Sequence, residues 1–224
     1  MITNAIQDCR PGSTFETYKP ETPSQQQALE MAKAVVEMVT PVALNFNSQS
    51  FAQEPSPFEQ GMIVAFTGSV GTGKTHLMEA TINAITKQLG PAKGFAYLCA
   101  GNLRSEALTY GVGNSGFSGK PLVFLDDAFN EHKTSADVDA KSAEIMMGIV
   151  STAYNNKRII VMSSNFSIED VLMPLMRKQD AVGRTLSRCA EILAEVKIEG
   201  PDGRLKIGQS GGALARLLKK PAAP

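Results

Sequence analysis

The chain has 224 residues, 43% of them hydrophobic and 20% charged, which is enough for one buried core with short appendages and too apolar for wholesale disorder. Lys and Arg number 22 and so do Asp and Glu, so no global field draws in nucleic acid or an anionic membrane, and any DNA contact needs a local patch. The three cysteines, Cys9, Cys99 and Cys189, have neither a ligand spacing nor an even count, which argues for a reducing, cytoplasmic setting.

Residues 1–22 read as an irregular arm, without the basic start and apolar core of a secretory signal. Pro23-Ser24-Gln25 opens a helix that carries Ala28, Leu29, Ala32, Val35, Val36 and Val39 at helical spacing, and Pro41 is expected to end it. A linker with Pro55 and Pro57 follows, and from there strands and helices alternate. Residues 62–66 form a short buried-type strand. A helix runs from Gly73 to about residue 88 and is stopped by Gly90-Pro91. Residues 95–99 are a second strand, 102–110 a short helix and 111–119 a loop with four glycines. Residues 122–125 are a third strand and 140–154 a long helix bearing Ile145, Met146, Ile149 and Val150. A fourth strand at 158–162, helices at 168–176 and 181–189 and a fifth strand at 192–198 complete the pattern. Residues 200–203 read as a turn into a short strand at 205–207. No apolar run approaches the ~20 residues needed to span a bilayer. The alternation argues an α/β fold with a mostly parallel sheet covered on both faces, whose ligands bind at the C-terminal strand edge. The chain divides into an arm, helix and linker packed on the core (1–60), the core itself (61–200), and a short turn, strand and basic tail (201–224).

At such an edge lies Gly68-Ser69-Val70-Gly71-Thr72-Gly73-Lys74-Thr75, which fits G-x-x-x-x-G-K-[ST]. Its glycines let backbone N–H groups face phosphate oxygens. Lys74 supplies a point charge to the β- and γ-phosphates, Thr75 a hydroxyl for Mg²⁺, and the following helix aims its positive end at the same anions. His76 follows directly and is counted with the loop as a nucleotide contact, its ring expected to pack on the sheet. The third strand ends in Asp126-Asp127: the first suits the Mg²⁺ shell, the second a general base that orients the attacking water. Asp is one methylene shorter than the Glu common at that second position, so slow hydrolysis is expected. The fourth strand ends in Ser163-Ser164-Asn165, where Asn165 can reach a γ-phosphate or the water, or instead start the next turn.

These motifs, with Arg184 and Arg188 in Gly183-Arg184-Thr185-Leu186-Ser187-Arg188, resemble a AAA+ ATPase, and within it the DnaC/IstB-like group of helicase loaders and transposon ATPase helpers. Ser13-Thr14-Phe15-Glu16-Thr17-Tyr18 followed by Gln25-Gln26-Gln27-Ala28-Leu29 is similar to the lead-in of the loaders, so the resemblance runs from Ser13 to Arg188. It implies a AAA+ three-layer sandwich with a central, mostly parallel five-stranded sheet and no helical lid. It implies Asp126 and Asp127 as a Walker B pair, Asn165 as sensor 1, and Arg188, with Arg184 second, as a finger onto a neighbouring subunit's γ-phosphate. The cofactors implied are ATP and Mg²⁺. The partners implied are a replicative DNA helicase or another DNA-processing protein, single-stranded DNA, and further copies of the chain in an ATP-dependent oligomer, with no membrane involved. Two features depart from or refine that pattern: only residues 1–12 precede the lead-in where loaders carry a helicase-gripping domain, and no sensor-2 arginine follows the fifth strand.

The same motifs also suit an IstB-like helper of a DNA transposase, or a nucleotide-binding scaffold that hardly hydrolyses. A small-molecule kinase would need an arginine-bearing lid, and no insertion is rich enough in arginine to make one. Weaker features are Arg104 and the loop at 111–116 as DNA- or partner-facing elements, and the basic, apolar tail at 213–220 as a docking peptide or frayed end. His76 and His132 have no metal-ligand companions in sequence.

Overall fold

The computed structural model describes residues 9–44, 56–89, 96–100, 120–130 and 132–203. Helix α1 spans Pro23–Leu44; then come β1 (Met62–Gly68), α2 (Lys74–Leu89), β2 (Ala96–Ala100) and β3 (Leu122–Ala128). Helix α3 (Ala140–Asn155), β4 (Ile159–Ser164), a π-helical turn (Ile168–Leu172), α4 (Met173–Gln179), α5 (Arg184–Ile192) and β5 (Leu193–Ile198) follow. The strands form one five-stranded sheet in the order β2-β3-β4-β1-β5, and every pairing is parallel. The expected helix at 102–110, the glycine loop, Arg104, the 205–207 strand and the tail lie outside the described residues, as does the region after residue 203 where a lid was not expected.

Period-two alternation sends successive strand residues to opposite faces, and both faces are buried. Ile63, Ala65, Val123, Leu125, Ile160 and Met162 pack with Ile145, Met146 and Ile149 of α3 and with Leu172, Met176, Cys189 and Ile192. Val64, Phe66, Phe124, Val161, Val196 and Ile198 pack on the other side with Leu77 and Ile82 of α2 and Ala28, Leu29, Ala32, Val35 and Val36 of α1. The helical stripe read in 28–39 is thus the face that α1 buries. Strand β1 sits between β4 and β5, at the point where the strand order reverses, and the glycine-rich loop leaves its C-terminal end there.

Three boundaries differ from expectation. Pro41 does not end α1, which continues to Leu44. The carbonyl that proline leaves without a donor belongs to Glu37, which is exposed, so water can serve it. The helix expected from residue 168 opens as a π turn, with the Met173 N–H reaching the Ile168 carbonyl, and Pro174 falls in the first turn of α4, where its missing donor costs nothing. Helix α5 starts at Arg184 rather than 181 because Gly183 takes a left-handed φ of 71°. Among the described residues no helix is long and apolar enough to cross a membrane.

Candidate nucleotide site

The glycine-rich loop is fixed by what surrounds it. Gly73 has φ +99°, and a Cβ there would lie 2.7 Å from the Tyr18 ring; only glycine permits both the turn and this approach. The Gln25 side chain donates to the Thr72 carbonyl at 3.3 Å, and the Gly203 N–H donates to the Gly71 carbonyl at 3.1 Å. Inside the loop, Thr72 Oγ donates to the Ser69 carbonyl at 2.9 Å. Lys74, buried at the start of α2, points its ammonium back into the loop and donates to the Gly68 and Ser69 carbonyls, each at 2.8 Å. A phosphate seated on the loop would meet that charge together with the N-terminal end of α2. Val70 stands exposed at the loop's crest.

Beside the loop is a cleft of about 380 Å³. Its walls include Val70, Gly71, Thr72, Gly73, Lys74, Thr75 and His76 from the loop, Asp127 and Asn165 from the ends of β3 and β4, Tyr18, Lys19 and Gln25 from the lead-in, and Pro201 and Gly203 beyond β5. A phosphate loop and a polar strand edge thus face each other across a space of ligand size.

Strand β3 continues past Leu125, where the sequence pattern stops, through both aspartates to Ala128. Its register against β4 shifts between Leu125 and Ala128, and Asp127 takes a left-handed φ of 53°. The bulge sends the two carboxylates different ways. Asp126 accepts from Thr75 Oγ at 3.3 Å and from Ser163 Oγ at 2.6 Å; Asp127 accepts from Asn165 Nδ2 at 3.3 Å and lines the cleft. Burial pushes the Asp126 carboxyl above its ordinary value, the Ser163 and Thr75 hydrogen bonds pull it back, and Asp127 and Glu79 add to the rise. Thr75 and Asp126 offer hard oxygens to a cation, and Thr75, by giving its proton to Asp126, keeps its lone pairs for one. Among the described residues no group of three His, Cys, Asp or Glu side chains forms an all-protein cage. A hydroxyl plus one carboxylate suits Mg²⁺, which takes its other ligands from phosphate and water.

His76 is not packed on the sheet. Its Nε2 lies 3.0 Å from the Thr14 carbonyl and 3.2 Å from Thr17 Oγ, and its ring is tilted against Tyr18 with centroids 5.5 Å apart. The cause is the arm, which lies along α2: Arg10 pairs with Glu79 at 2.8 Å, Ser13 Oγ donates to Glu79 at 2.6 Å, and Asn83 donates to the carbonyls of Arg10 and Ser13, each at 2.9 Å. In the sequence, Ser163 and Gln25 stand out only as members of motifs and Glu79 not at all, and none of the three announces its contacts. The polar ending of β4 was visible, but a hydroxyl's partners on a neighbouring strand are not.

The two arginines lie away from the cleft, on α5. Arg184 is exposed, and among the described residues neither it nor Arg188 has an ion pair. Asp180 accepts from the Thr185 and Leu186 N–H groups at 2.7 and 3.0 Å and caps the helix. Arg188 stacks its guanidinium 4.7 Å above the Tyr154 ring of its own chain. His132 pairs with Ser142 Oγ at 2.7 Å, and the Cys9 and Cys189 side chains are buried.

No family model and no curated protein matches the chain. Solved structures do. The DnaC helicase loader is 22% identical with a TM-score of 0.51, over 84% of this chain and 97% of that one. DnaI is 16% identical with a TM-score of 0.56, over 87% and 92%. AMPPCP-bound DnaA from Aquifex aeolicus is 19% identical with a TM-score of 0.50, over 97% and 58%. At these identities the likeness is one of fold: the chain has the AAA+ α/β fold of the DnaC-like loaders.

Proposed function

We propose that the protein is an ATP- and Mg²⁺-dependent AAA+ switch that loads or remodels a replicative DNA helicase on single-stranded DNA in the cytoplasm. The observation that carries this is the buried Lys74 in a glycine-rich loop facing an aspartate pair across one cleft, in a fold shared with the DnaC helicase loader. That loader and the AMPPCP-bound DnaA lend the reading its client and its nucleotide.

In this reading the loop N–H groups and Lys74 bind the β- and γ-phosphates, while Thr75 and Asp126 hold Mg²⁺, which when bound neutralises phosphate charge. Asp127 takes a proton from the attacking water, and Asn165 fixes the Asp127 carboxylate in place. Asn165 remains the sensor of the γ-phosphate. Arg188, or else Arg184, reaches the γ-phosphate of a neighbouring subunit, so turnover requires a stacked oligomer.

The test is co-purification with the host's replicative helicase, with ATP and without it, together with ATP turnover measured with and without single-stranded DNA. ATP-dependent capture of the helicase and DNA-stimulated turnover are expected. Capture of a transposase in its place would assign the protein to transposition, and zero turnover under both conditions would make it a nucleotide-binding scaffold.

A further inference from the structure

The two aspartates are not independent. Ser163, at 1% exposure, has its hydroxyl between them: it donates to Asp126 Oδ1 at 2.6 Å and accepts from the Asp127 N–H at 2.7 Å. Its proton and one of its lone pairs are therefore committed to the acid pair. The second bond falls at the bulge, where Asp127 holds the left-handed φ that non-glycine residues keep only when their surroundings impose it. The first shares Oδ1 of Asp126 with Thr75 and so directs both hydrogen bonds onto one oxygen of that carboxylate.

We propose that Ser163 is a positioning residue that sets the two carboxylates as one unit, aligning Asp126 for the cation and, through the Asp127 amide, Asp127 for the attacking water. The inference rests on the ATPase reading above for what the carboxylates do, but its geometry is that of the chain itself. Asp126 is held by a hydroxyl on the next strand, as ligating carboxylates commonly are by a hydrogen-bonding outer shell. Ser164, one residue on, provides a contrast. It is equally buried, yet its hydroxyl accepts from the Phe166 N–H at 3.0 Å and serves the turn after β4, not the acids.

The experiment compares wild type, Ser163→Ala, Ser163→Thr and Ser164→Ala in two measurements. One is the Mg²⁺ concentration for half-maximal binding of a fluorescent, slowly hydrolysed ATP analogue, which needs no turnover. The other is kcat and KM for ATP at saturating Mg²⁺. Ser163→Ala is expected to raise the Mg²⁺ midpoint about tenfold and to lower kcat by about tenfold or more, with KM little changed. Ser163→Thr restores both in large part, because it keeps the hydroxyl on a side chain suited to a strand. Ser164→Ala lowers Tm but leaves the Mg²⁺ midpoint at the wild-type value. An unchanged midpoint in Ser163→Ala overturns the proposal. So does an equal rise in Ser164→Ala, which would mark the effect as general loosening. A wild type that binds Mg²⁺–nucleotide but never turns it over defeats the ATPase reading alone; Ser163 is then judged on the midpoint.

Discussion

The phosphate loop and the α5 corner present opposite constructions. The loop is clamped from three directions, by Tyr18 at Gly73, Gln25 at Thr72 and Gly203 at Gly71, and its lysine is buried. The α5 corner follows an exposed turn in which Val182 is 79% exposed, and its first residues hang on one carboxylate, Asp180. A loop built this way is fixed by its own chain. A corner built this way has an exposed Arg184 and an Arg188 stacked on Tyr154. On the proposed reading, the difference would assign holding the nucleotide and responding to a neighbour to separate parts of the chain.

That separation can be broken most severely at Lys74. Lys74→Ala removes the one buried cation of the loop and should abolish ATP turnover and weaken ATP binding about 100-fold, read by equilibrium titration. Arg188→Ala should leave binding intact while turnover of the assembled protein falls about 10³-fold, with Arg184→Ala less affected. Loss of nucleotide binding in the dilute Arg188→Ala protein would erase the distinction between the two regions. Gly73→Ala should weaken ATP binding about tenfold or more, because it meets both a forbidden φ and the Tyr18 ring. Adding Tyr18→Ala in the same chain relieves the steric part only, so binding recovers in part.

The smallest effect sharpens the other side. Hydrogen bonds from the α5 backbone, Leu186 first, hold the Asp180 carboxyl below its ordinary 3.8. A depressed carboxyl contributes stability that is complete above 3.8 and is lost as pH falls through its lower folded value. Asp180→Ala should therefore lower Tm by a few degrees at pH 7, and the gap to wild type should close in strong acid, as followed by circular dichroism.

The strand–helix alternation was legible because parallel strands buried on both faces read as unbroken apolar runs, as in Ile159-Ile160-Val161-Met162. The phosphate loop was legible because its glycines and lysine are consecutive. The β3 bulge was not, since an apolar strand running into Asp126-Asp127 looks finished at Leu125; the hydroxyl that keeps it paired comes from residue 163. Pro41 misled for a related reason: the carbonyl it frees, on exposed Glu37, can be served by water, which no local pattern shows. His76 was placed on the wrong partner because the arm has no periodicity to show that it lies along α2. Nor does any sequence pattern announce that Arg188 rests on Tyr154.

The arm lies on Glu79 and Asn83, one and two turns beyond Thr75 on α2, and it carries the Tyr18 ring that bears on Gly73. On the proposed reading, a nucleotide that favours the docked arm would link its own binding to arm docking, and the linkage would be reciprocal. Any molecule that prefers the arm undocked would then weaken ATP binding by the same factor by which ATP weakens its own. Residues that touch no phosphate would then act as the dial on the protein's nucleotide affinity.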